Sequence, residues 1–260
     1  LLGRGARRVA PLLIGCAIVA TSAGALVLGH WWLTNTDRFG LERVEVRGGE
    51  RLDADDVAGL AALEPGTNLF SIELERVARA VELSPWIDAA TASRELPATL
   101  VVSVVERVAV AAVELDGLYL VDADGAPFKR ANVANGDLAG LPVITGLSRR
   151  DYAQDPAATK RSIRQGIEAY RAYQTGDARP EVGEIHLHER RGVTLFTRDS
   201  AMAIALGRGR GLAPLPRRLA AFDAAWRALA DDERSTATAV YVNNATHPNR
   251  VTVGFRTAED

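Results

Sequence analysis

The sequence predicts an α+β chain: a single N-terminal transmembrane helix, then a β-α-α-β-β unit, then a mostly antiparallel β domain with flanking helices. Three observations predict it. Residues 9–33 contain no Asp, Glu, Lys or Arg. Short runs of alternating apolar residues recur between Gly, Pro and Asp turns. A few longer segments instead place apolar residues three and four apart, as an amphipathic helix requires.

The membrane segment comes first. Roughly 21 residues of helix at 1.5 Å each reach about 31 Å, which matches a hydrocarbon core about 30 Å thick. Arg4, Arg7 and Arg8 precede the segment, and Asp37 and Arg38 follow it. The positive-inside bias therefore puts residues 1–8 in the cytoplasm and exports everything after the span, a single-pass type II arrangement. The expected anchor residues are Val9, Leu12, Leu13, Ile14, Ile18, Val19, Leu26, Val27, Leu28, Trp31 and Trp32. The two indoles suit the headgroup layer, since each has an apolar body and a donor N–H. A cleaved signal peptide would have a shorter apolar region. Leu13-Ile14-Gly15-Cys16 has the look of a lipoprotein processing box, but the apolar run continues well past Cys16. The chain begins at Leu1 rather than Met, so a few residues that help set orientation are expected to be missing, or a start codon was translated literally.

The rest of the chain has the makings of a core. Of its 260 residues 47% are hydrophobic, and the formal net charge of −2 supplies no basic field for nucleic acid. Cys16 is the only cysteine, which excludes an intramolecular disulfide and a cysteine zinc cluster.

Residues 39–107 read as the compact β-α-α-β-β unit. Residues 41–46 alternate as a half-buried strand. Asp53, with Asp56 after it, caps a short helix carrying Val57, Leu60 and Leu63, which Pro65-Gly66 breaks. Ser71 opens a second helix with Ile72, Val77 and Val81 on its apolar face, and Pro85 ends it. Two strands, 87–94 and 99–106, follow on either side of Leu96-Pro97.

Residues 108–256 turn mostly to strands. Asp116-Gly117 and Asp124-Gly125 lie between apolar runs as hairpin turns. Asp155-Pro156 starts a helix whose Ile163, Ile167 and Tyr170 share a face. Strands are expected at 182–188, 193–197 and 201–206. A helix over 216–229 aligns Leu219, Phe222, Trp226 and Leu229, and strands at 239–242 and 250–255 finish the domain, with a tail at 257–260.

Several runs are familiar in their order. Thr67-Asn68-Leu69-Phe70, Ser84-Pro85-Trp86-Ile87, residues 94–100 (RELPATL) and Val105-Glu106-Arg107 resemble the POTRA module of the FtsQ/DivIB bacterial cell-division family. Asp122-Ala123-Asp124-Gly125 and residues 141–146 (LPVITG) are similar to that family's β domain, and so are residues 193–229. Ala109 departs, standing where the family usually has proline. Resemblance implies a non-enzymatic division scaffold in the cell inner (plasma) membrane at the septum, its bulk periplasmic, with no cofactor. It implies FtsB and FtsL as partners, with other divisome proteins meeting the POTRA module around residues 87–94.

The residues themselves suggest a mechanism for such a partner. A last strand at a sheet edge offers unpaired N–H and C=O groups that another chain can complete. The expected partner-binding residues are Arg250, Val251, Thr252, Val253, Gly254 and Phe255. In the resemblance, Val253-Gly254-Phe255 stand at the family's docking motif, whereas Asn243-Asn244-Ala245 depart from the usual Asp-Leu-Arg. A POTRA-containing periplasmic chaperone-like protein for envelope clients is the alternative.

Other constellations carry less. His186 and His188 share one side of a strand, but two imidazoles without a third ligand read as strand residues. Gly207-Arg208-Gly209-Arg210-Gly211 lacks the Lys and Ser/Thr of a phosphate loop. Asp122 and Asp124 fall in a turn that favours Asp for backbone reasons. No serine sits in a nucleophile elbow, so catalytic, metal and cofactor residues are all expected to be none.

Overall fold

The computed structural model describes residues 3–209, 211–247 and 249–256, without the side chains of 3–14, 16 and 37. The anchor side chains of Val9, Leu12, Leu13 and Ile14, and the tail at 257–260, lie outside the described residues. Contacts divide the chain into two units, Leu1–Arg107 and Val108–Asp260.

The first unit starts with helix α1, Gly3–Asn35. Within it Ala17–Asn35 is long and apolar enough to cross a membrane, and none of it is buried in protein. Ile18, Val19, Leu26, Val27, Leu28 and Trp31 are exposed, and so is Trp32 apart from an edge contact with Phe39, which suits lipid and would be costly in water. At the helix exit the side chain of Asn68 donates to the carbonyls of Leu33 (2.8 Å) and Thr36 (3.2 Å). The last carbonyls of a helix have no partner within it, so Asn68 supplies one.

A three-stranded sheet follows, ordered β1-β3-β2, with β1 Arg43–Arg47, β2 Ile87–Glu95 and β3 Thr99–Glu106. β1 runs parallel to β3, and β2 antiparallel. Helices α2 (Ala54–Leu60) and α3 (Leu74–Glu82) cover one face. Val57, Leu69, Val77, Val81, Leu100 and Val102 form the core between them. Asp53 accepts from the backbone of Asp56 in a reciprocal capping box. Two expectations change here. Ser71 does not cap α3, because its hydroxyl turns back to the Asn68 carbonyl and Glu73 takes the N-cap position. Leu60, the last residue of α2, is exposed, and Ala61 at its C-cap is buried.

The second unit is a nine-stranded sheet in the order β12-β11-β10-β9-β8-β7-β4-β5-β6. Its strands are β4 Ala111–Glu114, β5 Leu118–Val121, β6 Pro127–Arg130, β7 Val143–Thr145, β8 Val182–His188, β9 Gly192–Thr197, β10 Ala203–Gly207, β11 Ala237–Tyr241 and β12 Thr252–Phe255. Antiparallel neighbours predominate, while β4·β7, β7·β8 and β10·β11 are parallel. Helices α4 (Arg149–Gln154), α5 (Pro156–Gln174), α6 (Leu215–Ala228) and α7 (Asp231–Thr236) flank it. Asp155 caps α5 by accepting from Ala158, with Pro156 in the first turn. Ile163, Ile167, Ile185, Leu195, Ile204, Leu219 and Phe222 make the core. α4 and α7 are too short to show a period in sequence, though Ser148 and Asp151 form a capping box at α4.

A partly buried ion pair joins the end of α5 to α6, with the Arg179 side chain 8% and that of Asp223 28% exposed. Arg179 grips Asp223 with Nε (2.6 Å) and Nη2 (2.7 Å), while Nη1 donates to the Tyr173 carbonyl at the end of α5. Bonding to Asp223 raises the Arg179 pKa above the ordinary arginine value. Burial likewise raises the Tyr173 phenol, which stays protonated and donates to the Pro180 carbonyl. Arg218 is the opposite case. Only 5% exposed, it spends Nε on the Ala213 carbonyl, and its Nη1 has no partner among the described residues. Burial alone lowers its pKa.

These two arginines predict opposite outcomes. Asp223→Ala takes the carboxylate from a largely covered guanidinium and should cost about 1–2 kcal/mol in urea unfolding, less than for a fully buried pair. Arg218→Met removes an ill-satisfied one and should leave stability unchanged or raise it by about 1 kcal/mol. Gly146, at φ +84°, ends β7 where an added Cβ would strike the Leu187 carbonyl oxygen. Gly146→Ala should therefore lower stability by about 2–3 kcal/mol, read by thermal melting.

Candidate partner-binding edge

β12 is the outer strand of the nine-stranded sheet. It pairs antiparallel with β11 in the register Tyr241↔Thr252, Val240↔Val253, Ala239↔Gly254 and Ala237↔Phe255, with a bulge between Ala237 and Ala239. Among the described residues no strand lies on its other side, so alternate peptide groups there face outward. None of Thr252, Val253, Gly254 and Phe255 is charged or proline.

The opposite edge, β6, is built differently. Pro127 removes a donor N–H, Lys129 and Arg130 put charge on the strand, and its pairing with β5 is irregular at Leu120/Val121. Those are the devices by which sheets discourage edge-to-edge pairing. One edge is guarded and the other left plain.

The six expected contact residues divide. Val251 and Val253 pack partly against the core, so they hold the strand down. Phe255 is 43% exposed and Thr252 is exposed, both available to another chain. Gly254 meets only ordinary contacts at 3.6 Å or more if a Cβ is added; its glycine is not forced by its own fold and leaves room for an approaching backbone. Arg250 and Val251 are not part of the strand: the Arg250 N–H donates to His247 in a turn (2.9 Å), in which the Asn244 side chain accepts from Thr246 and His247. The expected strand at 250–255 therefore starts two residues later.

Beside β12 lies an open groove of ≈ 520 Å³, lined by Ala220, Ala221, Ala224 and Ala225 of α6 with Arg217, Asn249 and Val251. Arg217 Nε donates to Asn249 across it at 3.2 Å. Pairs of alanines one turn apart on α6 are the sequence signal for this groove. It becomes readable only once the chain after β11 is known to return alongside.

The other candidates have structural roles. His188 Nδ1 accepts from the backbone of Arg190 and Arg191. Thr145 donates to Glu184 (2.5 Å) and so accepts from His186 Nδ1 (2.8 Å). Among the described residues no three His, Cys, Asp or Glu are grouped to hold a metal. Asp122 accepts from the backbone of Asp124 and Ala126, closing its turn. In the glycine-rich loop Gly207 and Gly211 have positive φ and Arg208 donates to the Glu189 carbonyl; Arg210 lies outside the described residues. In the first unit β2 is an edge strand too, its exposed side chains Asp88, Thr91, Ser93 and Glu95 polar and Ala89 small.

Residues 39–107 match the family model described as "POTRA domain, FtsQ-type". Residues 109–243 match that described as "Cell division protein FtsQ/DivIB, C-terminal", which stops short of β12. The chain is 32% identical to the cell division protein FtsQ of Geotalea daltonii, over 79% of this chain and 75% of that one. It is 34% identical to FtsQ of Myxococcus fulvus, over 80% and 71% of the two chains. With FtsQ of an Anaeromyxobacter species, identity is 31% over 96% of this chain and 83% of the other. A POTRA sheet preceded by one apolar helix, a second sheet ending in an open strand and these matched segments all agree: the chain belongs to the FtsQ/DivIB cell-division family.

Proposed function

We propose that this chain is a division scaffold with no catalytic role, a single-pass type II protein of the cell inner membrane with its bulk in the periplasm at the septum. It binds FtsB, and with it FtsL, by taking a strand of the partner onto β12, and so links divisome assembly to septal peptidoglycan synthesis. The POTRA module, with β2 as an edge, meets other divisome proteins. No cofactor enters this reading.

The observation that carries it is the contrast between the two edges of the nine-stranded sheet. β6 is blunted by Pro127, Lys129 and Arg130, whereas β12 presents four uncharged residues and an exposed aromatic ring. Main-chain hydrogen bonds would give affinity at such an edge, and Phe255 would give a side-chain anchor.

Two variants of the full chain in detergent test this, each challenged to capture an FtsB–FtsL complex. Deleting residues 250–260 should abolish capture while circular dichroism stays native. Phe255→Lys, a change at an exposed position, should weaken binding at least about tenfold, or 1.4 kcal/mol, with little change in melting temperature. Native-like capture by a folded deletion variant would sink the proposal.

A further inference from the structure

Between the membrane helix and the POTRA sheet there is no free linker. Asn68 reaches back to the carbonyls of Leu33 and Thr36, and its Oδ1 accepts from Phe70 N–H at 2.9 Å. Backbone bonds run from Leu69 N–H to Phe39 (2.8 Å) and from Leu41 N–H to Thr67 (2.8 Å), with a bridge between Gly40 and Asn68. Trp32, Phe39 and Phe70 stack edge to face in series, at 6.4 and 5.1 Å between centroids. Arg94, on β2, fixes the same loop from the other side by donating to the carbonyls of Leu69 and Ile72, both at 2.6 Å. The loop at 66–72 thus touches the last turn of α1 and the sheet at once.

This joint determines which end of the sheet lies near the helix exit. β1 begins at that end and runs parallel to β3, with Arg43 opposite Thr99. Glu42 and Arg43 both donate to the Ala98 carbonyl. The β2–β3 hairpin tip, Leu96-Pro97, therefore sits at the same end of the sheet, and Leu96 is 57% exposed. Leu83 is 80% exposed but lies at the other end, beside Ile87 and Glu106. Eight residues of β3 at about 3.3 Å each separate the ends by roughly 26 Å.

We infer that the helix-proximal end of the POTRA sheet is a lipid-contact surface, its hairpin tip Leu96-Pro97 held in the headgroup layer by the Asn68 joint. The inference rests on reading α1 as a membrane helix. An exposed leucine and proline flanked by Glu42, Arg43 and Glu95 suit the boundary between chains and headgroups. Because the charges are mixed, the contact needs no anionic lipid.

The test uses the full chain with Cys16→Ser and a single cysteine in place of Leu96 or Leu83, labelled with a polarity-sensitive fluorophore. Each is reconstituted in phosphatidylcholine vesicles containing lipid with a nitroxide on its headgroup. Quenching at position 96 should exceed that at position 83 by on the order of threefold, given the length of the sheet. Inserting six Gly/Ser residues between Thr36 and Asp37, a change outside the POTRA core, should bring position 96 down toward position 83; Asn68→Ala should do the same if it folds. Equal quenching at the two positions overturns the inference, as does quenching at 96 that the insertion leaves unchanged. Loss of the chain from the vesicles in a carbonate wash would instead overturn the membrane reading of α1.

Discussion

A peptide group removed from water must find a partner, and that constraint shapes both units. Burying an amide unbonded costs about 1–3 kcal/mol, more in lipid. In α1 the helix satisfies its own backbone, and where it runs out, Asn68 meets its terminal carbonyls. In the second unit, strand after strand is paired by its neighbour until β12, where pairing stops with one side of the strand open. The proposed docking of a partner strand rests on that stop.

The fold class was legible because its signals are local. A charge-free run, alternation in the strands and capping residues such as Asp53 and Asp155 each act over a few residues, and the structure shows the run as an exposed helix long and apolar enough to cross a membrane and the two aspartates as helix caps. Failures have the opposite character. Ser71 is a good cap by residue type but finds the Asn68 carbonyl closer. α4 and α7, six residues each, run for less than two turns and leave no room for a period. Parallel pairing of β7 with β4 and β8 depends on crossovers that no local pattern records.

The candidate site divides the same way. The alternation of Val251, Val253 and Phe255 shows in the sequence, yet which of the three faces a partner depends on what α6 covers. Val251 and Val253 lean on the core and Phe255 does not. The groove on α6 is invisible until the turn at Asn244 carries the chain back past Arg217. Thr67-Asn68-Leu69-Phe70 reads as a family signature, but its role at the helix exit needs the carbonyls of Leu33 and Thr36 brought within reach.

Pro127 and the two cations of β6 have a further effect. With its far rim closed, the sheet is monovalent: whatever strand joins at β12 becomes a new border that this molecule cannot extend from its other side. Through this sheet, copies of the chain can cap a ribbon of strands at β12 but do not lengthen one from β6, which disfavours fibre growth by this route.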